Sequence, residues 1–140
     1  MNESPSAILR SWFARVWNAG EEAAIDELYA PTAVAHGLPG GSILGPAAFK
    51  PFYRQFRSAF PNLRIEVTHT VCEGDLCVVH CQVTGTHTGD GLGVPPTNRS
   101  VRFSGMTMAR VVGGRIHEGW NAYDFLSMYQ QLGVEPPQPV

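Results

Sequence analysis

Apolar residues recur at helical spacing through the first sixty positions, and at every second position from there on. Ser4-Pro5 predicts a helix start, with a capping hydroxyl and a proline in the first turn. Ile8, Trp12, Phe13, Val16 and Trp17 then make one apolar stripe, which Asn18-Ala19-Gly20 ends. A second helix is predicted from Glu21 to Tyr29, and Thr32 to Gly41 reads as a short extended stretch carrying His36. Gly45-Pro46 opens a third helix with Phe49, Phe52, Tyr53, Phe56, Ala59 and Phe60 on or near one face; Pro51 lies close enough to its start to be tolerated.

The period of two begins at Leu63. Leu63 to Cys72 and Leu76 to His87 read as strands joined by the turn Glu73-Gly74-Asp75. A two-residue loop at Gly74-Asp75 sets Cys72 opposite Cys77 and His69 opposite His80. Two more strands, Arg99 to Val112 and Arg115 to Tyr123, turn at Gly113-Gly114, and the tail from Val134 is Pro-rich and read as irregular. The Arg99–Val112 strand is apolar on both sides: Val101, Phe103, Ala109 and Val111 on one, Met106, Met108 and Val112 on the other. Helices cover one such face, and a second copy of the chain is the economical cover for the other. Three helices, an antiparallel meander and a short last helix predict a single α+β domain over residues 1–140. Its expected shape is a cone-like half-barrel with helices packed into a curved, mainly antiparallel sheet. Trp12, Phe13, Trp17, Phe52, Tyr53 and Phe56, with the Trp120 strand, would line a pocket suited to a small apolar ligand.

Strict alternation along the last strand puts Ile116, Glu118, Trp120, Ala122 and Asp124 on one side and Arg115, His117, Gly119, Asn121 and Tyr123 on the other. A carboxylate at Asp124, covered by the following helix, would be partly desolvated and so a usable proton carrier near neutral pH. Asp is also a frequent helix N-cap. The other polar groups able to face inward are His36, Tyr53, His87 and Glu118.

Composition removes other classes of function. A net charge of −2 offers no basic patch for nucleic acid, and no apolar run reaches membrane-spanning length. With no basic leader before an apolar stretch, the expected location is the cytoplasm. Three cysteines without C-x-x-C spacing suggest neither a disulfide framework nor zinc, and Cys72, Cys77 and Cys81 read as buried small hydrophobes. The His69–His80 pair lacks a third ligand, so no metal is expected. No nucleophile elbow, phosphate loop or dinucleotide fingerprint is present. Acid–base chemistry by a carboxylate, without a cofactor, is what remains.

An ordered set of motifs carries a more specific resemblance. It comprises Val34-Ala35-His36, Ala59-Phe60-Pro61-Asn62-Leu63, Glu73-Gly74-Asp75, Gly85-Thr86-His87-Thr88-Gly89, Pro95-Pro96-Thr97, Ile116-His117-Glu118-Gly119-Trp120, Asp124 and Gln131-Leu132-Gly133. With these the chain resembles the SnoaL-like polyketide cyclase (ester cyclase) family of the nuclear transport factor 2-like superfamily. The resemblance implies intramolecular aldol ring closure on a polyketide-like ester, with no metal or organic cofactor. It places Asp124 at the family's acid–base carboxylate and His36 and His87 at its recurring histidines. Asn62 stands where the family commonly has Asp, and Asn98 where it usually has Gly. Two other functions fit the same scaffold: a non-catalytic binder of small apolar ligands, and an epoxide hydrolase built from Asp124, Glu118 and Arg102.

Overall fold

A computed structural model describes residues 4–136. Helix α1 (Pro5–Ser11) starts where Ser4 Oγ accepts the Ala7 N–H at 3.2 Å. It does not stay α-helical to Asn18 as the stripe suggested: Trp12–Asn18 is a π-helix, in which the Ala19 N–H reaches back five residues to Ala14 O. That wider turn brings Trp12 and Trp17, five apart in sequence, to the same side. Helices α2 (Ala23–Leu28) and α3 (Gly45–Ala59) follow, and α3 holds Phe49, Tyr53, Phe56 and Ala59 in the core.

The strands are β1 (Tyr29–His36), β2 (Ile43–Leu44), β3 (Arg64–Glu73), β4 (Leu76–Thr86), β5 (Ser100–Val112) and β6 (Arg115–Tyr123). They form one curved, unclosed sheet in the order β2-β1-β6-β5-β4-β3, antiparallel except where β1 runs parallel to β6. Strand β4 sends Cys77, Val79, Cys81 and Val83 into the core. Strand β5 sends Val101, Phe103, Ala109 and Val111 the same way, leaving Met106 and Val112 exposed on the other side, as alternation predicted. Helix α4 (Phe125–Leu132) follows β6 and ends at Gly133, whose φ of 74° supplies the left-handed stop.

Asn98 has a φ of 59°, alone among the described non-glycine residues in that region, and Asn is one of the few side chains that tolerate the left-handed conformation. Residues 137–140 of the Pro-rich tail lie outside the described residues. No described helix is long and apolar enough to cross a membrane.

Within β6 the alternation breaks. Arg110 pairs with Glu118, but the next residue, Val111, pairs with Ile116, so His117 is an extra residue opposite a continuous partner. Beyond this bulge the two faces exchange, because a one-residue slip sends each side chain to the opposite side. Gly119, Asn121 and Tyr123 therefore face the helices, and Glu118 and Trp120 face away from them.

The cysteines also differ from expectation. Gly74-Asp75 does form a two-residue loop, and Cys72 does oppose Cys77, but the pair is a disulfide and Cys72 is exposed rather than buried. Direct cross-strand pairing gives the two Cβ atoms the closeness a disulfide needs, a signal that counting cysteines and C-x-x-C spacings overlooks. Cys81 is free and buried. Denatured, unreduced protein should accordingly present one titratable thiol per chain, and reduced protein three. Three thiols before reduction would show the pair to be open.

Candidate active site

The helices and the sheet enclose an open-mouthed cavity of about 700 Å³, counting the solvent space at its mouth. The first helical segment contributes Leu9, Trp12, Phe13 and Trp17; α3 contributes Phe49, Phe52 and Phe56; the sheet contributes Tyr29, Ile65, Val83, Phe103, Thr107, Ala109, Ile116, Gly119, Asn121 and Tyr123. The aromatic rings brace one another. Trp12 stacks on Tyr29 with centroids 5.1 Å apart, and Trp17 meets Phe52 edge-on at 6.2 Å. Among the described residues, none that lines the cavity carries a charge.

Five of the six aromatic residues that the sequence assigned to a pocket line this cavity: Trp12, Phe13, Trp17, Phe52 and Phe56. Tyr53 is buried beside them but does not line it, and its hydroxyl donates to Val16 O at 2.8 Å, tying α3 to the π-helix.

Trp120 and Glu118 are not in the cavity, since the bulge turns them to the outer face of the sheet. His36 sits with them: its ring stacks on Trp120 at 5.7 Å, its Nε2 lies 2.7 Å from Glu118 Oε2, and its Nδ1 lies 3.1 Å from Ser42 Oγ. This cluster fastens the end of β1 to β6 and leaves His36 out of reach of a cavity ligand.

His87 is fully buried, yet it is not a lining residue either. Its Nδ1 accepts the Thr97 backbone N–H at 3.1 Å, so the ring proton sits on Nε2, which is buried without a partner among the described residues. Burial holds the imidazole pKa below its ordinary value. In this neutral form His87 latches the 87–99 loop, helped by hydrogen bonds from His87 N–H to Arg99 O and from Asn98 N–H to His87 O.

Asp124 is exposed and caps α4, its Oδ1 accepting the Ser127 N–H at 3.0 Å. It lies between Tyr123 and Phe125, both of which line the cavity. The triad required for epoxide hydrolysis is not assembled: Glu118 pairs with His36, and Arg102 is exposed with its backbone bonded to the Gln131 side chain. No group of three or more His, Cys, Asp or Glu among the described residues is arranged to hold a metal.

The polar residues the sequence reading missed are Thr107, Asn121, Tyr123 and Tyr29. Thr107 Oγ1 donates to Asn121 Oδ1 at 2.8 Å and lies 2.9 Å from the Tyr123 hydroxyl; Asn121 Nδ2 donates to His36 O at 3.0 Å. Burial raises the pKa of Tyr123, with the adjacent Cys81 thiol adding to the effect, and burial raises that of Tyr29, whose hydroxyl has no partner among the described residues. Both tyrosines are thus neutral hydrogen-bonding groups at physiological pH.

Comparison with known proteins agrees with this architecture. A family model described as SnoaL-like polyketide cyclase matches residues 7–132. The chain is 31% identical over 106 residues to nogalonic acid methyl ester cyclase of Streptomyces nogalater, covering 74% of this chain and 75% of that one. It is 28% identical over 144 residues to the aklanonic acid methyl ester cyclase DauD of a Streptomyces species, covering 97% and 86%. Among solved structures, IdmH from Streptomyces antibioticus superposes with a TM-score of 0.81 at 32% identity, covering 94% of this chain and all of that one.

The His87 latch has a pH signature. Its folded pKa is depressed, so below the ordinary value of about 6.5 the unfolded chain takes up a proton that the native ring resists. Stability is therefore greatest above that pH and should fall as pH drops below it. Thermal unfolding of the parent and His87→Leu between pH 5 and 8 should show this decline in the parent and a weaker one in the variant. Parallel profiles would remove His87 as its cause.

Proposed function

Because the chain belongs to the SnoaL-like polyketide cyclase family, we propose that it closes a ring in a polyketide-like ester by an intramolecular aldol reaction without a cofactor. The observation that carries this reading is the uncharged aromatic cavity with a carboxylate at its edge. In such a reaction a base removes the proton α to the ester, and the resulting enolate attacks a ketone carbon of the same molecule. The new alkoxide then takes up a proton, so no atom enters or leaves overall. Flat aromatic walls suit a fused-ring substrate and hold its two reacting carbons together.

Asp124 is the acid–base in this proposal. The Ser127 N–H fixes its carboxylate, and Tyr123 and Phe125 set it beside the cavity. The names of the relatives supply two substrates for the test, nogalonic and aklanonic acid methyl esters. Incubation should give a product of unchanged mass and altered retention. Asp124→Asn should slow its formation by about 10²–10⁴ while leaving unfolding nearly unchanged, since Asn caps helices as well as Asp. Full activity in Asp124→Asn would reject that residue, and no isomeric product from either ester would reject the cyclase reading.

The chain is further proposed to act as a homodimer through the outer face of its sheet. Ladder pairing aligns Val71, Val78, Met108, Trp120 and His36 in one row across five strands, with Met106 beside it. Val71 is 70% exposed and Met106 50%, an apolar stripe that a second copy would cover. Sedimentation at micromolar concentration should give a two-chain species, and a monomer would overturn the proposal.

A further inference from the structure

Besides the Tyr29 hydroxyl and the Trp12 and Trp17 indoles, the polar side-chain groups of the cavity wall lie where β5 and β6 run side by side, with Thr107 paired to Asn121 and Tyr123 two residues further along. The hydrogens there can be assigned. His36 O is a backbone carbonyl and can only accept, so the Asn121 atom 3.0 Å from it is Nδ2, and Oδ1 faces Thr107. Thr107 has a single hydroxyl hydrogen, and it goes to Asn121 Oδ1 at 2.8 Å. The Tyr123 hydroxyl must then provide the hydrogen in its 2.9 Å contact with Thr107 Oγ1. The chain thus runs in one direction, from Tyr123 through Thr107 to Asn121. Every hydrogen in it is committed except the second one on Asn121 Nδ2.

From this directed chain we infer that Asn121 is the donor that positions a carbonyl oxygen of the cavity's ligand, making a planar apolar ketone or ester the class of compound the site selects. This rests on the reading of the cavity as a ligand site, and it adds the group that holds the ligand's oxygen. The donor is fixed in place. Its carboxamide is held at both ends by Thr107 and His36, and Thr107 itself is buried at 6% exposure. The β1 end also approaches closely, because a Cβ at Gly37 would fall 1.9 Å from the Asn121 backbone oxygen. A fixed donor in an apolar wall distinguishes an oxygen acceptor from a hydrocarbon of the same shape, since each buried polar group does better paired than orphaned. It also holds more tightly an oxygen that gains negative charge, as the carbonyl does when it becomes an enolate or an alkoxide.

Two shape-matched probes test this by equilibrium dialysis, 2-acetylnaphthalene carrying the carbonyl and 2-isopropylnaphthalene lacking it. In Asn121→Leu the ratio of ketone to hydrocarbon affinity should fall about fivefold relative to the parent, the worth of one ordinary hydrogen bond. Hydrocarbon affinity should hold. If Asn121→Leu does not fold, the parent protein decides alone: the Asn121 side-chain amide resonance should move when the ketone is added and stay when the hydrocarbon is added. An unchanged ratio, or an amide resonance indifferent to the ketone, would overturn the assignment. Failure of both probes to bind the parent would overturn it together with the ligand-site reading. Selective ketone binding by a protein that cyclises neither methyl ester would uphold Asn121 and reject only the cyclase.

Discussion

One extra residue in β6, His117, decides which side chains the cavity receives. Upstream of it Ile116 points toward the helices; downstream, Gly119, Asn121 and Tyr123 do. Without the bulge, strict alternation would bring Glu118, Trp120 and Asp124 inward. The cavity would then hold two carboxylates and an indole instead of a glycine, a carboxamide and a phenol. Gly119 leaves space that a larger side chain would fill, since a Cβ there would meet nothing closer than Asn121 Nδ2 at 3.9 Å and Met108 O at 4.0 Å. Asn121 and Tyr123 then place their hydrogen-bonding groups on that wall. Bulges are a common device for re-aiming side chains near sites, and the one here converts a strand that would carry charge inward into one that carries only neutral groups.

This explains how far the sequence could be read. The helical stripe of Trp12, Phe13 and Trp17, and the face of α3 carrying Phe52 and Phe56, were legible because helical periodicity is strong and survives even a switch from α to π geometry. Strand β5 was legible because its alternation is unbroken from Val101 to Val112. The placement of Trp120 and Glu118 was not, because a bulge of one residue leaves composition and hydrophobicity unchanged while it inverts every later position. His87 misled for a different reason. A histidine in a Gly-Thr-His-Thr-Gly segment reads as a functional group, but its value here lies in accepting one backbone N–H from Thr97 while hidden from solvent. The Cys72–Cys77 pairing is implicit in the hairpin register, but an odd number of cysteines gives no hint of it.

The electrostatics of the cavity follow from the same arrangement. A wall without charge lowers the local dielectric, and any dipole within it then acts strongly on a bound oxygen. The Tyr123–Thr107–Asn121 chain is such a dipole, with its positive end at the amide. A carboxylate inside this wall would need a partner to be tolerated, and no cation lines the cavity among the described residues. Asp124 outside the wall, solvated and held by a helix N-terminus, avoids that cost until a ligand covers it. The division of labour between an uncharged interior and a charged edge is thus a consequence of what burial permits.

The inner and outer faces of the sheet are also joined through one residue. The His36 carbonyl holds the Asn121 amide on the cavity side, while the His36 ring stacks on Trp120 and meets Glu118 on the outer side. Trp120 and Asn121 are consecutive, so they point to opposite faces of one strand, and β1 grips both. Anything that presses on the outer row, a second chain included, bears on Trp120 and His36 and so on the backbone that fixes the Asn121 donor. Loss of the His36–Glu118 pair would loosen the end of β1, and the amide would lose the acceptor that commits its first hydrogen. The precision of the cavity's donor therefore depends on contacts made on the far side of the sheet. A histidine well outside the cavity can matter to a ligand it never touches.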